Sequence, residues 1–274
     1  MTGHAIKSGY RHVDCAHVYR NEETTAKGML GAGIPREQLF YTSKVPPKCI
    51  NYEDAKRSIN ESLEKTKLKY IDLYLLHAPY QGTEGRLGAW KALVEAVKEG
   101  KVRSIGVSNF GVHHLNELEE WQKVSLTSPS RTQTASLSLT HPNLSQQQSP
   151  SDAGILSVNQ VELHPWLARP DIVDWCTKRD IVLEAYSPLV RATRGDDPLL
   201  RPLTAKHDKT PAQILLRWGL QKGFVVLPKS VTQSRIEENT KVFDFELSVD
   251  DMKSLETGKY EPCTWDPTTA ELDS

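Results

Sequence analysis

No excess of charge of either sign runs through this chain: 34 basic residues stand against 35 acidic ones, a formal charge of −1. So close a balance gives no long-range field toward nucleic acid or an anionic membrane, and neither is expected as a partner. Cysteines are few, four in all (Cys15, Cys49, Cys176 and Cys263), with no CxxC pair. Scattered thiols of this kind point to a reducing, cytoplasmic setting and not to a disulfide scaffold. No apolar run approaches the ~20 residues that span a bilayer, and MTGHAIKSGY lacks the apolar core of a secretory signal. A Gly-rich GxGxxG fingerprint is also missing, which argues against a Rossmann domain.

What is present is an alternation. Short β-branched or aromatic runs recur at 11–16, 40–44, 71–77, 102–108, 157–163, 181–187 and 224–230, with segments of helical period between them. NYEDAKRSINESLEKTK places Ala55, Ile59 and Leu63 on one helical face. GAWKALVEAVKEGK does the same with Trp90, Leu93, Val94 and Val97 before Gly100 stops it. Thr210-Pro211 predicts a cap and first turn for TPAQILLRWGLQKG, and SRIEENTKVF predicts a further helix. Strands alternating with helices imply a parallel sheet with crossovers. Seven strands suit either a (β/α) barrel short of one unit or an open doubly wound sheet. At 274 residues the chain is long enough to bury a substantial core.

Residues 124–153 break the rhythm. Of these thirty, twelve are Ser or Thr, four are Gln, and only Arg131 and Asp152 are charged. Such a composition cannot supply a core face, so a disordered insertion is expected between a helix and the next strand.

The chemistry is concentrated at strand ends. In RHVDCAHVYRNEE, Asp14 ends the first run and Tyr19 follows in its loop; Lys44 ends the second run and His77 the third. In a parallel barrel these ends converge on one rim, where active sites lie. An ammonium beside a phenol favours its ionised form, and moving the phenol from ~10 to ~7 asks for about 4 kcal/mol. A Lys44 held by Asp14 is expected to supply much of that, while a neutral His77 orients a substrate oxygen. Singly, each residue has a plainer reading: Asp14 a helix cap, Lys44 a solvated terminus, His77 a buried, backbone-bonded histidine. Three successive strand ends together favour a site.

DCAHVYRNEE, the TSK of FYTSK, LLHAP, GVSNF, VNQVELHP, EAYSPL and VLPKS, in this order, resemble the aldo-keto reductase family. The likeness runs from about Gly9 to Phe245 apart from the insertion. It implies a single (β/α)8 TIM-type barrel domain over 1–274 that reduces aldehydes and ketones with NADPH and works as a monomer. On this resemblance the Asp, Tyr, Lys and His tetrad is Asp14, Tyr19, Lys44 and His77, with Tyr19 the proton donor and Asp14 acting through Lys44. Ser108, Asn109 and Gln160 are implied to hold the nicotinamide carboxamide, and Tyr186 to stack on its ring. Ser187 and Leu189 would pass the pyrophosphate; Lys229, Ser230, Arg235, Glu238 and Asn239 would meet the adenosine 2′-phosphate and adenine. Two cations after the last strands suit a dianionic phosphate. Trp166 and Trp265 are weaker candidates to line a carbonyl pocket. Against the family pattern, HAIKSGY reads as the tail of the first helix, so the barrel is expected to be incomplete, lacking the N-terminal hairpin and first strand.

Two rivals belong to other classes. One is an NADPH-binding regulator without turnover. The other is a metal-dependent barrel hydrolase built on His12, Asp14, Cys15 and His17, but alternation on a strand puts His12 and Asp14 on one side and Cys15 on the other. No metal is therefore expected. His113 and His114, at the start of a helix, read as a surface pair.

Overall fold

The computed structural model describes residues 1–127 and 154–274. The expected insertion, 124–153, lies outside the described residues apart from the end of one helix. Along the chain run α1 (Thr2–Lys7), β1 (His12–Asp14), α2 (Glu22–Leu30), β2 (Phe40–Val45), α3 (Tyr52–Thr66), β3 (Ile71–Leu76), α4 (Gly82–Lys98), β4 (Val102–Ser108) and α5 (Val112–Thr127). Then follow β5 (Val158–Glu162), α6 (Pro170–Thr177), β6 (Val182–Tyr186), α7 (Arg201–His207), α8 (Pro211–Gln221), β7 (Val225–Leu227), α9 (Gln233–Glu238) and α10 (Val249–Ser254). Each predicted run holds one strand. The last is cut to three residues because Pro228 has no N–H for the ladder.

Two compact units are formed. The first comprises His12–Leu156 with Thr268–Ser274, the second Met1–Arg11 with Ser157–Pro267. In the first, β1 to β4 pair in order and all parallel. In the second, β5, β6 and β7 do the same. β3 and β5 are buried at every position, as parallel strands covered on both faces must be.

Local sequence explains the helices of the first unit. The Asn51 side chain caps α3 by accepting from the Asp54 N–H, and Lys67 ends it with a left-handed φ of 57°. Its buried stripe is Ala55, Ser58, Ile59, Ser62 and Thr66, while Leu63, predicted on that face, is only half-buried. The stripe is turned because the Ser62 hydroxyl is drawn inward to a buried carboxylate, that of Glu22. α4 buries Trp90 and Leu93, each contributing about 2–3 kcal/mol; Val94 and Val97 flank them half-buried. Gly88 lets α4 approach α3, since a Cβ there would lie 3.2 Å from the Tyr52 nitrogen. In the second unit, Thr210 and Gln213 close a reciprocal capping box on α8. Among the described residues no helix is long and apolar enough to cross a membrane.

Candidate active site

Register decides which polar residues share a face. Asp14 pairs with Thr42, two residues before Lys44; Lys44 pairs with Leu75, two before His77; Leu75 pairs with Gly106, two before Ser108. Because alternate residues of a strand point the same way, Asp14, Lys44, His77 and Ser108 leave one face of this sheet at its carboxyl end. The His77 N–H bonds the Val45 carbonyl at 3.3 Å, so the alternation continues past the end of β3.

Contacts on that face are close. Lys44 is fully buried, and its Nζ donates to both Asp14 oxygens at 2.7 Å and to the Cys15 carbonyl at 2.9 Å. The ring centroid of Tyr19 lies 5.2 Å from that nitrogen and edge-on to His77 at 5.7 Å. Tyr19 closes a short 3-10 turn, His17–Tyr19, after which Arg20 takes a left-handed φ of 53°. The Asn109 side-chain amide, also on a left-handed residue, donates to the His77 carbonyl at 3.0 Å and to Ser108 Oγ at 3.1 Å. Ser108 and Asn109 are both buried.

Electrostatics divide the roles. Burial, reinforced by the Lys44 charge, lowers the His77 pKa to about 3, so the imidazole is neutral at physiological pH and keeps one N–H donor. The phenol of Tyr19 behaves differently from the sequence expectation: its pKa is raised, not lowered. Burial is the largest cause, the Lys44 charge opposes it, and the Asp14 charge adds to it. The physical reason is that burial disfavours the phenolate more than the Lys44 charge favours it, and the Asp14 carboxylate beside that ammonium offsets part of its charge. With 49% of Tyr19 exposed, water screens the upward push.

In the second unit, Gln160 pairs with Glu184 and Glu162 with Tyr186, so these four share a face. Gln160 Nε2 donates to Glu184 at 2.6 Å, which fixes the amide's orientation. Tyr186 is half-buried with its hydroxyl 3.5 Å from Thr264 Oγ1. Ser187 has a φ of 49°, and half-buried Leu189 precedes the turn Val190–Ala192. Lys229 and Arg235 are exposed and make no ion pair among the described residues, a state that fits a phosphate ligand. Ser230 Oγ accepts from the Thr232 N–H at 3.1 Å; Glu238 accepts from Thr210 Oγ1 at 2.7 Å, and Asn239 is buried. Trp166 is 1% exposed and packs under Arg194, a core role, whereas Trp265 is 43% exposed.

The metal reading loses its residues. His12 Nε2 is bonded to Thr42 Oγ1 at 2.8 Å and Asp14 is taken by Lys44. Among the described residues, Glu162, His164 and Cys263 are the group whose ligand atoms come within reach of one ion. Yet His164 Nε2 sits 2.8 Å from Glu162 Oε1, a direct hydrogen bond. Ligands of one tetrahedral zinc stand about 3.3 Å apart or more. Burial pushes the Glu162 carboxyl up, but bonds from His164, Thr264 and Cys263 outweigh it and hold the pKa at about 2. This is a satisfied carboxylate that ties a loop to β5. Of the histidine pair, His113 bonds the Ala270 carbonyl at 2.7 Å, while His114 is fully buried and its Nδ1 accepts from the Gly111 N–H, so only part of the pair is at the surface.

Three buried acids that organise these faces were not singled out from sequence: Glu22, Glu162 and Glu184. For Glu162 and Glu184 the signal was available in kind, since an acid inside an apolar run (VNQVE, VLEAY) is costly unless bonded, whereas Glu22 stands in the polar stretch RNEETTAK and carries none.

Residues 1–258 match the Aldo/keto reductase family. The chain is 41% identical over 253 residues to the glyoxal reductase of Bacillus subtilis (strain 168), covering 92% of this chain and 80% of that one. It is 37% identical over 254 residues to the methylglyoxal reductase DkgA of Escherichia coli (strain K12), again covering 92% and 80%. A crystal structure of a Gox0644 mutant in complex with NADPH matches with a TM-score of 0.80 at 33% identity, covering 98% of this chain and 88% of that one. An aldo/keto reductase structure from Brucella melitensis matches at 0.77 and 35%, covering 93% and 86%. The chain belongs to the aldo/keto reductase family, oxidoreductases of the α/β TIM-barrel class that reduce carbonyl groups with NADPH.

Proposed function

We propose that Tyr19 is the proton donor of this reduction and that the substrates are small 2-oxoaldehydes. The observation that carries the first part is the buried Lys44–Asp14 pair, bonded at 2.7 Å, beside a phenol that also faces His77. A phenol whose pKa is raised is fully protonated at neutral pH, which is the state a donor needs. Once it gives up its proton to the carbonyl oxygen, the phenolate is stabilised by the Lys44 ammonium, and Asp14 keeps that ammonium in place. Neutral His77 donates its N–H to the same oxygen and polarises the carbonyl without competing for the proton. The bound cofactor supplies the hydride to the carbonyl carbon, so aldehyde, hydride and one proton give a primary alcohol.

For the cofactor we assign Ser108 and Asn109 in the first unit to the nicotinamide carboxamide. In the second unit, by the family resemblance alone, Gln160, Tyr186, Ser187 and Leu189 are assigned as cofactor contacts, Tyr186 to a nicotinamide ring and Ser187 and Leu189 to a pyrophosphate. Lys229, Ser230, Arg235, Glu238 and Asn239 are assigned to the phosphorylated adenosine. The names of the two reductase relatives support small dicarbonyls, and exposed Trp265 is assigned to the carbonyl pocket. We read residues 1–274 as one reductase domain, cytoplasmic and monomeric.

The test is NADPH consumption by the purified chain with glyoxal, methylglyoxal, benzaldehyde and hexanal, beside Tyr19→Phe. Turnover that favours the two dicarbonyls and vanishes in Tyr19→Phe is expected. NADPH binding with no turnover across the panel would leave a regulator in place of an enzyme.

A further inference from the structure

The loop that carries Tyr19 is short and strained. Between Cys15 and Glu22 lie six residues, 16–21, and the left-handed Arg20 at φ 53° is a conformation that non-glycine residues keep where their surroundings impose it. Its start is fixed from one face of β2, where Lys44 Nζ holds the Cys15 carbonyl at 2.9 Å. Its end is fixed from the opposite face of the same strand. There the adjacent residue, Ser43, donates its hydroxyl to Glu22 Oε1 at 2.6 Å, and Ser62 of α3 donates to the same oxygen at 2.7 Å. The Tyr41 hydroxyl, also on that face, donates to the Glu22 main-chain carbonyl at 3.0 Å. The second carboxylate oxygen of Glu22 faces back into the loop, 3.7 Å from His17 Nδ1.

Glu22 is 4% exposed. A buried carboxylate is costly, and α2 does not need one at its first position, because its exposed neighbour Glu23 offers the helix start the same charge. An apolar side chain would fill the space but lose the bonds from Ser43 and Ser62, leaving the Tyr41 hydroxyl on the main-chain carbonyl as the remaining tie.

We propose that Glu22 is a positioning residue for the reaction: it clamps the far end of the Tyr19 loop to the strand that carries Lys44, and so sets the phenol against the ammonium. The inference rests on the reading of Tyr19 as the proton donor. The two anchors stand on consecutive residues of one strand, so a shift of β2 moves both ends of the loop together and preserves the spacing.

The test uses the full chain. Glu22→Leu, Ser43→Ala, Glu23→Gln and Tyr19→Phe are compared for kcat, KM for methylglyoxal, NADPH affinity by fluorescence quenching, and the pH dependence of kcat. Leucine removes the oxygen that Ser43 and Ser62 bond. Misplacing a reacting group by an ångström costs up to about a hundredfold, so Glu22→Leu is expected to lower kcat about ten- to a hundredfold. NADPH affinity should stay within about twofold, and the kcat–pH profile should move because the phenol has left its cation. Ser43→Ala should fall between wild type and Glu22→Leu and carries the test if the leucine variant does not fold; Glu23→Gln should match wild type. Loss of turnover in Tyr19→Phe with wild-type kcat in Glu22→Leu overturns the clamp alone. A fall in kcat that tracks lost NADPH-binding sites, with an unmoved pH profile, also overturns it. Turnover that survives Tyr19→Phe overturns the reading of Tyr19 and the clamp with it.

Discussion

Replacing Lys44 by Met separates what the ammonium does for the fold from what it does for the reaction. Its Nζ is fully buried with three acceptors at 2.7, 2.7 and 2.9 Å, so methionine fills the volume but strands a carboxylate and a carbonyl. Breaking a buried pair by removing one partner costs about 3–5 kcal/mol. The Asp14 side chain is 17% exposed, so water reaches it and the lower end, about 3 kcal/mol, is expected. At roughly 2–4 °C per kcal/mol for a chain of this size, Lys44→Met should melt about 6–12 °C below wild type. Adding Asp14→Asn removes the stranded charge, and the double variant should be more stable than Lys44→Met itself by 1 kcal/mol or more. Thermal and urea unfolding of wild type, both singles and the double variant measure this, with NADPH oxidation followed in parallel. All three variants should lose turnover, so stability and activity part company in the double. If the double variant's loss equals the sum of the two singles within about 0.5 kcal/mol, the pair is not coupled and the reasoning fails.

Tyr19→Phe should abolish carbonyl reduction and leave NADPH affinity nearly unchanged, by steady-state kinetics and fluorescence titration, because it removes only the transferred proton. Lys229→Met with Arg235→Met should raise the KM for NADPH far more than it lowers kcat, and should narrow the preference for NADPH over NADH. Acid should destabilise the fold between pH ~6.5 and 3. Burial holds both His77 and His114 at about 3 in the folded chain, so below the unfolded value of ~6.5 the unfolded state binds more protons and stability falls with pH. From pH 7 to 5 each should contribute about 2 kcal/mol of loss, and His77→Gln should remove its share of that slope in urea titrations at the two pH values.

Much of the fold was legible because the strands announce themselves. IDLYLL is apolar at nearly every position and is bounded by Tyr70 and His77, so its limits follow from composition. Asp14, Lys44 and His77 stood out as candidates for a different reason: each falls at or near the carboxyl end of a β-branched or aromatic run, where an ionisable side chain inside a core is costly unless it is bonded. What stayed hidden were pairings across distance. Nothing in NYEDAKRSINESLEK says that Ser62 points inward, since its reason is Glu22, forty residues earlier. The direction of the Tyr19 shift was hidden too. Sequence places a cation held by Asp14 near the phenol but cannot say how far the folded chain desolvates that phenol, and burial is what raises its pKa.

The strand β2 shows how one period-2 segment serves chemistry and scaffold together. Its odd residues Tyr41 and Ser43 face the helices and bond Glu22, while Thr42 and Lys44 face the site and bond His12, Asp14 and Cys15. A one-residue slip in register would exchange the two sets, setting a buried lysine among the hydroxyls that hold Glu22 and hydroxyls where the ammonium should be. Each set carries partners that only its own face supplies, so polar pairing fixes the register here in the way apolar burial does elsewhere in the sheet. The polar face is therefore part of what aligns β1, β2 and β3, and substitutions of Lys44 or Asp14 act on the fold through the same bonds that the proposed reaction would use.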